Sequence, residues 1–133
     1  MSYDFTLIAF VPAPPQAIYD AWLDSRGHSE MTGGKATASD AVGGAFTAWD
    51  GFISGKNLEL EPHGRIVQSW RTRRFAGKDQ DSRVTLTLTP AKGGTELKLE
   101  HCNVPDGHTG YRDGGWQTHY FEPMKKYFAA RAR

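Results

Sequence analysis

The stretch GGAFTAWDGFISGKNLELEPHGRIVQSW, residues 43–70, decides the fold. Its apolar-rich runs follow one another with almost no linker, separated only by Asp50-Gly51 and by Pro62-His63-Gly64. Turn residues at such short intervals leave room for direct reversals alone, so the runs read as an antiparallel meander. The middle run, FISGKNLELEP, breaks parity. Phe52 and Ser54 oppose Ile53 and Gly55, yet Leu58 and Leu60 share the parity of Phe52. One extra residue restores a single inward face, and a bulge near Gly55 is expected to supply it. In RIVQSWR the same alternation sets Ile66, Gln68 and Trp70 on one face.

Upstream, YDFTLIAFV (3–11) is β-rich and apolar on both parities, with Phe5, Leu7, Ala9 and Val11 against Ile8 and Phe10. A strand covered on both sides is therefore expected. Pro12 ends it, and Pro14-Pro15 open a helix, where proline is tolerated. That helix carries the stripe Ile18, Ala21, Trp22 and is expected to break at Arg26-Gly27. A second helical turn around His28 to Met31 closes at Thr32-Gly33-Gly34, and Lys35 to Ser39 reads as a weak strand.

Downstream, FAGKDQDS (75–82) is a polar loop. SRVTLTLTP and TELKLEHC then alternate about the hairpin Lys92-Gly93-Gly94. Val84, Leu86, Leu88, Leu97 and Leu99 point inward, while Thr85, Thr87, Thr89, Glu96, Lys98 and Glu100 point outward. Parity sends His101 inward and Cys102 outward, and Asn103 to Gly107 reads as a loop. The last element, about Thr109 to Ala130, is a long amphipathic helix with the stripe Trp116, His119, Tyr120, Pro123, Met124, Tyr127 and Phe128. Pro123 lies inside it, so a kink and lost backbone hydrogen bonding are expected there.

Together these elements make an α+β fold in one domain over residues 1–133. Two short helices follow the first strand, and a twisted antiparallel sheet of about six to seven strands lies under one long C-terminal helix. Such an arrangement encloses space, and what fills that space is the functional question.

Composition narrows the classes. The 16 basic and 15 acidic residues nearly cancel, which implies no nucleic-acid partner. The cluster Arg71, Arg73, Arg74 reads as a solvated loop after a strand. Cys102 stands alone, so no internal disulfide forms and a reducing compartment fits. MSYDFTLIAFVPAPP has neither a basic n-region nor a small-residue cleavage site, and no run reaches membrane-spanning length. A cytoplasmic location is expected.

No catalytic motif stands out. There is no G-x-S-x-G, no phosphate loop and no dinucleotide fingerprint. His28, His63, His101, His108 and His119 show no zinc spacing, so neither a metal nor a cofactor is expected. His101 reads either as a core histidine satisfied by a partner or as a polar anchor in a cavity wall. Gln68 and Asp50 carry the same choice. The helix stripe reads as core by default, yet Trp, His, Tyr and Met in place of Leu and Ile suit a lined, adaptable pocket.

The segments VPAPPQAIYDAWLD (11–24), HSEMTGGKA (28–36), residues 43–71 and VPDGHTGYRDGGWQTHYFEPMKKYF (104–128) carry a resemblance that covers nearly the whole chain. They resemble the START-like (SRPBCC), helix-grip superfamily, and within it the family named for the activator of the heat-shock-protein-90 ATPase. The resemblance implies a sheet gripping the C-terminal helix around a hydrophobic cavity. The sheet and short helices would contribute Trp22, Met31, Trp49, Trp70, Leu86, Leu99 and His101 to its wall. The helix would add Trp116, Tyr120 and Met124.

Co-chaperone members of that family carry a separate N-terminal domain, whereas this chain opens directly on its first strand. The first expectation is therefore binding of a small hydrophobic, lipid-like or aromatic molecule, with Pro123 letting the helix tilt to open the pocket. A co-chaperone or stress-related interaction module is the alternative. A polyketide cyclase/aromatase-like or hydrolase-like enzyme using His101 is the second. A homodimer through an edge strand stays open.

Overall fold

The computed structural model describes residues 2–131. Strand β1 (Ser2–Val11) leads into α1 (Pro15–Trp22) and α2 (Ser25–Thr32). Five further strands follow: β2 (Ala45–Ala48), β3 (Ile53–Glu61), β4 (Arg65–Thr72), β5 (Ser82–Ala91) and β6 (Gly94–Pro105). A segment Tyr111–Gly115, kinked at the non-helical Asp113 and Gly114 (φ 117°) and so breaking the helix expected over Thr109 to Ala130, and a wide helical turn Gln117–Phe121 then precede α3 (Glu122–Arg131). All neighbours in the six-stranded sheet are antiparallel, in the order β1-β6-β5-β4-β3-β2.

The meander forms as read, with the bulge displaced. The β3–β4 register shifts between Asn57 and Glu59, so Leu58 is the extra residue and turns outward while Leu60 turns in. Gly55 has another cause. A Cβ there would lie 1.9 Å from the Ser69 carbonyl oxygen and 2.6 Å from the Phe46 ring, so the position admits no side chain. Gly55→Ala is expected to cost about 3 kcal/mol through overpacking against a backbone that cannot yield. Chemical denaturation measures this, and a cost below about 1 kcal/mol would show that the two strands part easily there.

Other boundaries differ for local reasons. The break between α1 and α2 falls at Leu23-Asp24 rather than at Arg26-Gly27, because Asp24 caps α2 by accepting from the Gly27 N–H at 2.7 Å. Gly27 sits inside α2, where a Cβ would meet the Ala21 backbone at 2.9 Å. Lys35 to Ser39 makes a single bridge, Thr37 to Thr47, rather than a strand. β6 runs on to Pro105 through what was read as a loop.

β1 is covered on one side only. It is an edge strand, with Ala9 and Val11 buried but Ile8 63% and Phe10 45% exposed. Pro123 is absorbed at a change of helical pitch. The Glu122 N–H donates to the Gln117 carbonyl five residues back, and Pro123, which has no N–H to donate, follows at once as the wide turn gives way to α3.

The core lies between the inner face of the sheet and the helices. It includes Ile18, Trp22 and Met31 below, Leu86, Leu97 and Leu99 on the central strands, and Met124 and Phe128 on α3.

Candidate functional site: an aromatic cleft between sheet and helix

Where β2 turns into β3 and β4 ends, the start of the C-terminal helix stands off the sheet and leaves a cleft of about 680 Å³. The sheet side supplies Trp49, Phe52, Ile53, Trp70, Thr72 and Arg74. The helical side supplies His108, Tyr111, Trp116, His119 and Tyr120, with Gly107, Gly110 and Gly115 between them. The glycines keep that wall thin. A Cβ at Gly107 or Gly110 would meet nothing within 4 Å. Among the described residues no carboxylate lines the cleft.

Trp49 is held by its surroundings. It starts three successive residues of positive φ: Trp49 (52°), Asp50 (58°) and Gly51 (82°). A tryptophan in that region is strained and needs the neighbouring structure to hold it. The Asp50 N–H donates to the Lys35 carbonyl at 2.9 Å. The indole lies flat on Gly34, where a Cβ would come within 2.4 Å of the ring, and His119 meets it edge-on at 5.3 Å.

Beneath the cleft, buried hydrogen-bond chains fix the aromatic wall. The Trp116 indole N–H donates to His101 Nδ1 at 3.2 Å, so Nε2 carries the imidazole proton and donates to Ser82 Oγ at 2.8 Å. Ser82 in turn donates to the Trp70 carbonyl at 2.6 Å. His28 adopts the opposite tautomer. Its Nδ1 faces the Trp22 carbonyl at 2.9 Å and must donate, leaving Nε2 to accept from the Tyr120 hydroxyl at 2.9 Å. A third chain runs from the Trp22 indole N–H to Gln68 (3.0 Å), and from Gln68 to Asn57 (2.9 Å). Burial lowers the His101 pKa to about 3 and lowers that of His28, while it raises that of the Tyr120 phenol.

Two donors lack partners. Among the described residues the indole N–H groups of Trp49 and Trp70 are buried without an acceptor, and both residues line the cleft. Native interiors rarely leave such groups unpaired, so each calls for an explanation.

The basic cluster divides by role. The Arg71 guanidinium pins the loop after β4, donating to the carbonyls of Ala76 and Asp79 at 2.7 Å each and pairing with Asp81 at 3.1 Å. Arg74 lines the cleft and has no ion pair among the described residues. The Tyr111 phenol lies beside it and beside the Thr72 hydroxyl. Burial raises that phenol's pKa, and these two neighbours oppose the rise.

Of the residues read from the sequence, Trp49, Trp70, Trp116 and Tyr120 meet at the cleft. Trp22, Met31, Leu86, Leu99, His101 and Met124 lie in the packed core instead, with His101 directly behind Trp116. Sequence reasoning missed Thr72, Arg74 and Tyr111. Parity from Trp70 would have placed Thr72 on the inner face, but nothing local distinguishes Arg74 from a solvated arginine.

Among the described residues no group of three His, Cys, Asp or Glu side chains is placed to hold a metal ion. No described helix is long and apolar enough to cross a membrane.

An antiparallel sheet wrapped against a C-terminal helix, with a cleft opening between them, is the helix-grip class of α+β domain. Residues 12–129 match the family described as Activator of Hsp90 ATPase homolog 1-like protein, and the chain belongs to that family. It is 36% identical over 83 residues to the Activator of 90 kDa heat shock protein ATPase homolog 2 of Mus musculus, covering 62% of this chain and 25% of that protein. Over 116 residues it is 27% identical to the Dictyostelium discoideum homologue of the same activator, covering 86% of this chain and 30% of that one. The chain thus spans between 25% and 34% of the length of the curated relatives it matches. The crystal structure of an HSP90 activator from Plasmodium falciparum superposes with a TM-score of 0.84 at 26% identity, covering 93% of this chain and 94% of that one.

Proposed function

We propose that this chain is a binding module for a small, flat, largely apolar molecule held in the aromatic cleft. The observation that carries the reading is a cleft of about 680 Å³ walled by Trp49, Trp70, Trp116 and Tyr120. That volume lies within the range of small-molecule sites, which combine apolar walls with a few orienting polar groups. Burial of an aromatic ring supplies the affinity at roughly 25 cal/mol per Å².

The test uses N-phenyl-1-naphthylamine, a neutral aromatic probe, together with a variant that fills the cleft. Gly110 has helical dihedrals (φ −57°, ψ −31°) and open space around its Cβ position, so Gly110→Phe is expected to fold normally. Probe binding to the wild type should weaken at least about tenfold in this variant, the equivalent of roughly 1.4 kcal/mol of lost contact. Undiminished binding to Gly110→Phe, or no binding to either protein, sinks the reading.

The co-chaperone reading has its own support, since the Plasmodium falciparum protein named as an HSP90 activator matches this chain almost end to end. On that reading, adding this chain raises the ATPase rate of the 90 kDa chaperone, and a flat titration rejects it. The enzyme reading has less support, because both ring nitrogens of His101 are engaged in the core.

A further inference from the structure

We infer that the cleft selects an aromatic acid, its ring against the wall formed by Trp49, Trp70 and Trp116 and its carboxylate against Arg74. The inference rests on the binding reading above and adds the charge and polarity of the ligand.

The cleft is chemically lopsided. Its middle is aromatic, with Trp70 and Trp116 5.1 Å apart and Tyr120 5.0 Å from Trp116. Arg74, Thr72 and Tyr111 lie together in its lining. Arg74 is the one arginine or lysine in the lining, and no carboxylate among the described lining residues answers it.

Two neighbouring cations, Arg71 and Arg112, are already committed. Arg71 is taken up by the loop carbonyls and Asp81, and Arg112 pairs with Asp113 at 3.0 Å. Asp113 is thereby withheld from Arg74. A guanidinium offers a planar fork of donors that matches a carboxylate, and here it stands at the mouth of a low-dielectric cleft where such a pair strengthens. The Tyr111 phenol, beside Arg74 and the Thr72 hydroxyl, adds polarity to the same part of the lining. A cationic ligand would meet Arg74 with no compensating carboxylate. A neutral hydrocarbon would leave the arginine and both hydroxyls unused.

The experiment compares 2-naphthoic acid, ionised at neutral pH, with 2-naphthamide, its neutral counterpart of nearly the same shape. Titrations by tryptophan fluorescence use the wild type, Arg74→Gln, Arg73→Gln and Gly110→Phe. Wild type and Arg73→Gln should bind the acid about tenfold more tightly than the amide, the scale of one charge-assisted hydrogen-bonded pair. Arg74→Gln should erase that preference by weakening the acid about tenfold more than the amide. Gly110→Phe should weaken both ligands.

Equal binding of acid and amide to the wild type overturns the acid preference but leaves the cleft as a binding site. So does an acid preference that survives in Arg74→Gln. Failure of both compounds to bind the wild type overturns the acid preference together with the binding reading beneath it.

Discussion

Trp70→Ala is expected to destabilise the protein by about 3–5 kcal/mol, the range for removing a fully buried large aromatic side chain. Trp70 is 1% exposed and joins the two layers of the fold. It packs against Phe46 at 5.4 Å on the sheet side, and against Trp116 at 5.1 Å and Tyr120 at 6.0 Å on the helix. Truncation would open a void continuous with the existing cleft, with no side chain positioned to collapse into it.

Trp70→Phe provides the contrast. It keeps a ring in the stack and deletes an indole N–H that has no acceptor among the described residues. Losing a donor that was never satisfied costs nothing in hydrogen bonding, so the change should cost less than about 1.5 kcal/mol. Urea denaturation separates the two cases, with a large fall in midpoint for the alanine variant at constant m. Equal costs for the two variants would mean that the aromatic stack is not what joins sheet to helix.

Acidification should also weaken the fold steeply, and the buried His101 is one reason. Burial lowers its pKa to about 3 in the folded protein, against 6.5 when unfolded. Above pH 6.5 both states hold neutral imidazole and the group contributes no pH dependence. Between pH 6.5 and about 3 the unfolded chain binds a proton that the folded chain refuses, so stability falls as pH falls. At about 1.4 kcal/mol per unit the loss reaches about 4 kcal/mol at the acid end of that window.

The cause is geometric. Charging the ring would require a proton on Nδ1, which already accepts from the Trp116 indole N–H. His28 shifts in the same direction and adds to the slope. His101→Gln removes the His101 contribution, so the stability of this variant should vary less between pH 6.5 and 4 even if it is less stable at pH 8. An unchanged slope in that variant would reassign the acid sensitivity to His28 or to carboxylates elsewhere.

Much of this fold is written in local patterns. In β5 and β6 the strict alternation assigned the faces of Val84 to Thr89 and of Glu96 to Cys102 correctly, because neighbouring side chains in a strand must point to opposite faces. The parity conflict in β3 demanded one extra residue wherever it fell. Its place at Leu58 was set by the pairing with β4, since Gly55 is needed where Ser69 closes on it. Apolar residues on both faces of β1 implied a second covering layer. The strand turned out to be an edge with Ile8 and Phe10 outward, and no rule of local sequence says how many layers a sheet has. Pro123 implied a kink, but the change from wide turns to α-helix is a property of the whole segment.

The amino-acid sequence by itself determined the order of elements, the inward faces and the family, because these follow from neighbour-to-neighbour periodicity and from long matched segments. Only the tertiary structure decided where the space lies. It brought Trp49, Trp70, Trp116 and Tyr120 to one cleft, sealed His101 behind Trp116 and left Arg74 at the rim without an acid. The physical reason is that a cavity is a difference between packed surfaces. Its position depends on the offset of the C-terminal helix from the sheet, a distance that no residue encodes alone.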